Sequence, residues 1–147
     1  MKRKEIKKIL KSFDIITIIM TYKYIYNRPR PSQVAPNIIN KKNGTLLNSE
    51  TADTPSYPSG HAFQAYYLAK ILSKKFPNKK EQLMKLALRI SNARIIAGLH
   101  YPSDRDFAYW LVDNLLNWFN TLVINAFGIL LKSIIFLLNS NWPFDSA

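Results

Sequence analysis

The pattern of apolar and polar positions predicts a chain built from helices. Between residues 5 and 26, apolar side chains first recur at helical spacing and then follow one another almost continuously. The string NRPRP at 27–31 ends this helix, because proline cannot continue a helix and restricts the residue before it. Residues 32–57 are rich in Pro, Asn, Ser, Thr and Lys, and we expect them to form a long active-site loop.

Two further helices follow this loop. The second helix begins near residues 59–61 and runs to Lys75, where the string FPN ends it. The third helix covers residues 79–97. Gly98 then provides a natural C-terminal cap, because glycine adopts the left-handed conformation without a steric penalty. The pattern therefore predicts two adjacent helices of similar length.

The last part of the chain predicts a fourth helix and an apolar C-terminal helix. Ser103 is expected to cap the fourth helix, with Asp106 in a box-like arrangement, and this helix reaches residues 117–120. An apolar helix over residues 121–138 is at the lower limit of length for a membrane span, and Lys132 is costly in its middle. We favour an interfacial or core helix over a span. No strand alternation is found, so the predicted fold class is all-α.

The composition limits the chemistry that the chain can support. A length of 147 residues predicts one domain, residues 1–147. Cysteine is absent, which excludes disulfides and thiolate metal sites. Only two histidines and nine acidic residues occur, so we expect neither a multi-histidine zinc centre nor any other metal or cofactor.

The formal net charge of +12 favours anionic partners. Solvated faces are the simplest explanation, followed by attraction to an acidic membrane surface at about 1 kcal/mol per cation; nucleic acid is not the expected partner. The N-terminus resembles a signal peptide but lacks a small-residue cleavage site, so we expect no removable targeting segment. Two clusters carry much of the charge: Lys2, Arg3, Lys4, Lys7, Lys8 and Lys11, and Lys70, Lys74, Lys75, Lys79, Lys80 and Lys85.

Three compact segments contain the residues best suited to catalysis. They are KYIYNRPRP at 23–31, YPSGH at 57–61 and NARIIAGLHYPSD at 92–104. In PSGH, exposed backbone N–H groups, a hydroxyl and an imidazole lie at a helix start, which is a ready anion site. Both histidines of the chain therefore belong to motifs at helix ends.

The third segment has the arrangement of an oriented nucleophile. Arg94 lies on the last turn of the third helix and His100 just beyond it, so both can face one small space. Asp104 can accept a hydrogen bond from one ring nitrogen of His100 and thereby aim the other. The leaving alkoxide of a phosphate ester needs a proton, and His61 is the candidate acid.

A phosphoryl group in transfer also needs its oxygens neutralised. Lys23, Arg30 and Arg94 offer three cations, and arginine adds a bidentate fork. Without a metal, these cations and the backbone N–H groups must provide the electrostatic stabilisation.

Together the three segments resemble the signature of the type 2 phosphatidic acid phosphatase superfamily, which includes bacterial nonspecific acid phosphatases and vanadium haloperoxidases. The pattern is lysine, six residues and Arg-Pro; then Pro-Ser-Gly-His; then Ser-Arg, five residues, His, three residues and Asp. The match spans residues 23–104. The resemblance implies a helical bundle with the active site at one end.

The resemblance also implies a role for each matched residue. His100 would attack phosphorus to form a phosphohistidine, Asp104 would hold His100, and His61 would protonate the leaving group and later help to activate water. The phosphate would be bound by Lys23, Arg30 and Arg94, with Ser59 and Gly60 assisting.

The sequence departs from this signature at two positions. Ala93 replaces the serine expected before Arg94, which removes one hydroxyl contact worth about 1 kcal/mol, and on a helix Ser91 points elsewhere. Arg28 is a spare arginine followed by its own proline. Spacing favours Arg30 as the phosphate ligand, with Arg28 as the alternative ligand. Otherwise Arg28 is interpreted as a solvated or lipid-facing cation.

The expected function is hydrolysis of a phosphomonoester or diphosphate, with a lipid-linked substrate favoured over a soluble ester. The basic N-terminus and apolar flanks favour a membrane-associated enzyme, with a cytoplasmic location as the alternative. Two other functions are alternatives that we rank below phosphate hydrolysis: a basic membrane- or nucleic-acid-binding module without catalysis, and a vanadate-dependent haloperoxidase.

Overall fold

The computed structural model describes residues 3–10, 13–36 and 53–139. These ranges contain helices and no β-strand, so the predicted all-α fold class is confirmed. The elements are, in chain order, α1 (Arg3–Leu10), α2 (Phe13–Tyr26), α3 (Pro31–Val34), α4 (Gly60–Lys75), a short 3₁₀ turn (Pro77–Lys79), α5 (Lys80–Ile96) and α6 (Pro102–Asn139).

The helix boundaries differ from the prediction at both ends of the chain. The predicted helix over 5–26 is two helices, α1 and α2, on either side of residues 11–12, which lie outside the described residues. Helix α6 begins at Pro102, a residue favoured at the first helical position. The prediction that Ser103 caps this helix is therefore wrong, since Ser103 lies inside the first turn. The apolar segment 121–138 is helical and continues α6 without a break.

The predicted loop at 32–57 is described only at its two ends. It begins inside α3, and residues 37–52 lie outside the described residues. At its far end the chain returns to the first motif, because the Ser56 N–H donates to Arg28 O at 2.8 Å and the Ser56 hydroxyl to Pro29 O at 3.2 Å. These bonds hold the end of the loop beside the residues that follow α2.

Three residues define the helix ends nearest the motifs, two through their backbone conformation and one through its side chain. Asn27 ends α2 with a φ of 40°, and Gly98 follows α5 with a φ of 70°. Both lie in the left-handed region that asparagine and glycine tolerate best. Ser59 caps α4, because its hydroxyl accepts the Ala62 N–H at 3.3 Å. The motif residues are thus presented by defined helix termini.

The core is formed where α2, α4, α5 and α6 pack together. Helices α4 and α5 lie against each other, and the Tyr66 ring of α4 stacks on Tyr109 of α6 at 4.0 Å. The Tyr109 hydroxyl also pairs with the Ser91 hydroxyl of α5 at 2.9 Å. The buried apolar side chains are Ile15, Ile19, Ala62, Phe63, Ala69, Ala87, Leu99, Ala108, Leu111 and Val112.

The chain divides into two compact units, Met1–Val112 and Asp113–Ala147. The first contains α1 to α5 and the start of α6, and all three motifs lie in it. The second contains the rest of α6. Among the described residues, no helix has the length and apolarity needed to cross a bilayer. The interpretation of residues 1–147 as one phosphatase domain stays a prediction.

The positive φ of Gly98 leads to a test of the fold. We expect Gly98→Ala to lower the free energy of unfolding by about 1–2 kcal/mol, because a Cβ is strained in the left-handed conformation. Gly60→Ala is the matched control. Its Cβ would make only an ordinary contact, 3.6 Å from Ile19 Cγ2, on a helical backbone. Urea unfolding of both variants checks this, and equal stability of the two would contradict the cap.

Candidate active site

One cavity of about 240 Å³ in the first unit brings residues of all three motifs together. His61 reaches it from the first turn of α4, and His100 from the link between α5 and α6. The two imidazoles, which the sequence analysis expected to face one site, therefore line the same space. The lining residues are Ile16, Ile19, Met20, Lys23, Arg30, Thr54, Gly60, His61, Gln64 and His100.

The His100 ring is held by Asp104 in the first turn of α6. His100 Nδ1 lies 3.2 Å from Asp104 Oδ2, and the same oxygen accepts the Tyr101 N–H at 2.9 Å. Both side chains are buried, with His100 3% and Asp104 0% exposed. Because a carboxylate only accepts, Nδ1 carries the proton and Nε2 carries the lone pair. The unprotonated nitrogen of the ring is thus the one that can attack.

Arg30 lies beside this unprotonated nitrogen, with Nη1 at 3.4 Å from His100 Nε2. The guanidinium is 1% exposed and is held in place by backbone carbonyls: Nε donates to Thr54 O at 2.9 Å and Nη1 to Leu99 O at 2.8 Å. Burial, and then the charge of Arg94, lower the pKa of Arg30. The geometry places a fixed cation beside His100 Nε2, where it could stabilise negative charge on the oxygens of a group that this nitrogen attacks.

Lys23, at the end of α2, supplies a second cation to the cavity. Its ammonium donates a hydrogen bond to Pro55 O, and the side chain is buried. Burial, and then the nearby charge of Arg30, lower the pKa of Lys23 to about 8. Lys23 is therefore largely charged at neutral pH, although its surroundings destabilise the charged form. A bound anion would stabilise that charged form and raise the pKa again.

His61 is half-buried and surrounded by positive charge. Burial, and then the charges of Arg94, His100, Arg30 and Lys23, lower its pKa to about 4. Arg94 does not line the cavity, yet its charge acts on both His61 and Arg30. Burial also lowers the pKa of His100, although its hydrogen bond to Asp104 opposes the shift. The lowered pKa values favour the uncharged form of both imidazoles at neutral pH.

The two small residues of the second motif have different environments. Gly60 lines the cavity, at the start of α4, where the first N–H groups of a helix have no intrahelical acceptor. The Ser59 hydroxyl instead caps the helix, and the Ser59 N–H donates to Asp104 O at 3.0 Å. Ser59 thus ties the second motif to the third. A direct contact between its hydroxyl and phosphate stays a prediction.

Arg28 forms a contact that the sequence analysis missed. Its Nη1 lies 3.0 Å from Asp104 Oδ1 and 2.7 Å from Ser103 Oγ, and its guanidinium lies 4.0 Å from the centre of the Tyr101 ring. The interpretation of Arg28 as a solvated or lipid-facing cation is therefore incomplete, because one side of it faces a buried carboxylate. The only available signal was the repeated Arg-Pro of the first motif.

The Ser91 hydroxyl does not compensate for the departure at Ala93. Ser91 is buried, and its hydroxyl lies 2.8 Å from Ala87 O and 2.9 Å from the Tyr109 hydroxyl. It therefore points away from the cavity, as the helical spacing predicted. In the part of the chain that the structure describes, no group of three or more His, Asp or Glu residues could hold a metal ion.

Comparison with protein families agrees with this geometry. The model of the PAP2 superfamily matches residues 9–111, which include all three motifs. The chain belongs to the PAP2 superfamily. The family expected from the motifs is thereby confirmed.

Curated relatives of this PAP2 superfamily member match a shorter segment. A non-specific acid phosphatase of Providencia stuartii is 36% identical over 53 residues, which is 36% of this chain and 21% of that protein. A non-specific acid phosphatase of Salmonella typhi is 37% identical over 51 residues, 35% of this chain and 20% of its own length. The matched segment thus spans about a fifth of each relative.

The low pKa of His61 gives a test of the site in this PAP2 member. Sulfate stays a dianion near pH 5.5, and its charge should raise the pKa of His61 from about 4, so that binding takes up protons from the buffer. Calorimetry in two buffers of different ionisation enthalpy measures this uptake. We expect His61→Asn to lose most of it. Proton release, or uptake unchanged in His61→Asn, would contradict the assignment.

Proposed function

We propose that this protein is a metal-independent phosphatase that hydrolyses phosphomonoesters or diphosphates through a phosphohistidine on His100. The observation that carries the proposal is that His100 and His61 line one cavity together with Lys23 and Arg30. A tetrahedral anion in this cavity would have a nucleophile, an acid and two cations around it. Membership of the PAP2 superfamily and the names of the curated relatives support the same reaction class.

In the first step, Nε2 of His100 attacks phosphorus and the bond from phosphorus to the leaving oxygen breaks. The charge of the bound substrate raises the pKa of His61, so that His61 takes up a proton on binding. It then donates this proton to the leaving oxygen, and the leaving group departs as an alcohol from a monoester or as a protonated phosphate from a diphosphate. Lys23 and Arg30 neutralise the phosphoryl oxygens as charge builds up on them, and the charge of Arg94 adds to theirs. Asp104 stabilises the positive charge that develops on the His100 ring.

In the second step, water attacks the phosphohistidine. His61, now neutral, takes a proton from this water, and the bond from phosphorus to His100 Nε2 breaks to release inorganic phosphate. The cycle returns both imidazoles to their starting states. The same residue thus acts as acid and then as base, which suits a group whose pKa changes with the charge of the bound anion.

We further propose a lipid-linked substrate and an enzyme associated with an acidic membrane surface. One wall of the cavity is apolar, formed by Ile16, Ile19 and Met20 of α2, and it adjoins the phosphate site. Exposed cations on α1, among them Lys4 and Lys7, would favour an anionic surface. The apolar wall is the feature that a leaving group rich in hydrocarbon would contact.

A soluble nonspecific acid phosphatase is the second candidate. The names of the relatives from Providencia stuartii and Salmonella typhi favour it. In this case the apolar wall would have no selective role, and small phosphate esters would be turned over as readily as lipid phosphates.

The phosphohistidine leads to a trapping prediction. With radiolabelled p-nitrophenyl phosphate, whose leaving group needs little protonation, we expect wild type to show an acid-labile label after quenching. His100→Ala should abolish the label, because the attacking nitrogen is lost. His61→Ala should retain or accumulate it, because water activation slows more than the first step.

Asp106→Asn is the control for this experiment, since Asp106 is an exposed carboxylate two positions from Asp104. It should label like wild type. Label that persists in His100→Ala would remove His100 as the nucleophile. Label that disappears equally in both histidine variants would contradict the separate roles of the two imidazoles.

The apolar wall leads to a substrate prediction. Ile16→Ser should lower kcat/KM for detergent-solubilised phosphatidate and isoprenyl diphosphate by about tenfold, because apolar contact with the leaving group is lost. It should leave p-nitrophenyl phosphate within about twofold. Ile90→Ser is the matched control, because Ile90 is similarly exposed but lies on α5 and does not line the cavity. Detergent-free turnover of the soluble ester equal to that of phosphatidate would contradict the lipid preference.

A further inference from the structure

Asp104 makes separate contacts through its two carboxylate oxygens. Oδ2 faces His100 Nδ1 at 3.2 Å and accepts the Tyr101 N–H, whereas Oδ1 accepts from Arg28 Nη1 at 3.0 Å. We propose that Arg28 is a positioning residue that orients His100 through Asp104. The effect of Arg28 on turnover rests on the proposed phosphatase function. Its effect on the orientation of the His100 ring does not.

A buried carboxylate needs a cation close to it, because burial of an uncompensated charge is strongly unfavourable. Lys23 and Arg30 interact with Asp104 electrostatically, but both line the cavity, where a bound phosphate would engage them. Arg28 does not line that cavity. Its charge therefore stays with Asp104 whether or not substrate is bound.

Arg28 is itself held in one orientation. Its Nη1 also donates to Ser103 Oγ at 2.7 Å, and its guanidinium lies 4.0 Å from the centre of the Tyr101 ring, a favourable cation–π geometry. Its backbone carbonyl accepts the Ser56 N–H at 2.8 Å, and Pro29 restricts the residue before it to extended conformations. The first motif is thereby fixed against the turn that carries His100.

Loss of Arg28 should let the Asp104 carboxylate rotate, so that His100 Nδ1 loses part of its acceptor. The second tautomer, with the proton on Nε2, would then be populated, and this form cannot attack phosphorus. We expect Arg28→Ala to lower kcat by about ten- to hundredfold, the range for a lost hydrogen bond to a charged group. KM should stay within about twofold, because Arg28 does not line the cavity.

The kinetic test compares Arg28→Ala with Arg28→Lys and Arg105→Ala. Arg105 follows Asp104 directly, forms an ion pair with Asp106 and donates a hydrogen bond to Asn92. Arg105→Ala removes both contacts, so this variant controls for general damage to the turn. Arg28→Lys should recover part of the lost kcat, and added guanidinium should partly restore Arg28→Ala. A loss in Arg105→Ala as large as in Arg28→Ala, or a loss seen only in KM, would overturn the proposal.

A second measurement does not depend on activity. The chain has only two histidines, so the imidazole nitrogens of His61 and His100 can be assigned in ¹⁵N spectra of the full chain with one His61→Asn variant. At pH 7, wild-type His100 should show a protonated Nδ1 and a bare Nε2. In Arg28→Ala both signals should move toward their averaged positions, while the His61 signals stay unchanged.

The two measurements separate the possible failures. If no phosphate ester is turned over by wild type but the His100 signals respond to Arg28→Ala, the proposed function fails and the positioning role holds. If wild type is active and the His100 signals do not respond, the positioning role is overturned. Should Arg28→Ala not fold, Arg28→Lys decides, because a smaller shift of His100 in the same direction is expected and an unchanged spectrum overturns the proposal.

Discussion

Lys23 and Arg30 share the walls of one small cavity with two imidazoles, and burial limits the water that could screen them. The consequence is visible in every group: the pKa values of Lys23, Arg30, His61 and His100 are all lowered, with burial as the largest cause. Like charges held close together in a poorly solvated space are unfavourable, and an anion relieves them. Under the proposed function, a bound phosphate would relieve these unfavourable interactions.

Asp104 offsets this positive charge and joins the three motifs into one site. Its carboxylate faces His100 and Arg28, and its backbone carbonyl accepts the Ser59 N–H, so residues from all three segments meet at one buried residue. Asp104, in the first turn of α6, thus contacts Arg28 and Ser59, which lie far from it in sequence. This arrangement explains how His100 can be neutral, oriented and close to a cation at once.

The sequence predicted the parts of this site that depend on local pattern. The helix ends beside His61 and His100, the cap at Gly98, and the direction of Ser91 follow from spacing and from the preferences of single residues. The motif order also led to the family. The assumption that the three segments converge was enough to predict that five residues share one space, and these five do line the cavity: Lys23, Arg30, Gly60, His61 and His100.

The contacts that sequence reasoning missed are those between distant segments. Arg28 reaches Asp104 across 76 positions, and Arg30 is fixed by carbonyls of Thr54 and Leu99, which any residue type could supply. A backbone acceptor leaves no trace in the sequence. The sequence analysis also placed a boundary between two helices near residues 117–120, whereas α6 continues as one helix through residues 121–138.

The central claim is that two imidazoles flank one tetrahedral anion, and diffraction from crystals soaked in tungstate would test it directly. The anomalous signal of tungsten locates the anion without reference to the protein coordinates. The account predicts a single strong peak in the cavity, with its oxygens within hydrogen-bond distance of Lys23 and Arg30 and the metal next to Nε2 of His100, opposite His61. A peak that contacts only one of the two rings, or that lies outside this cavity, would contradict it.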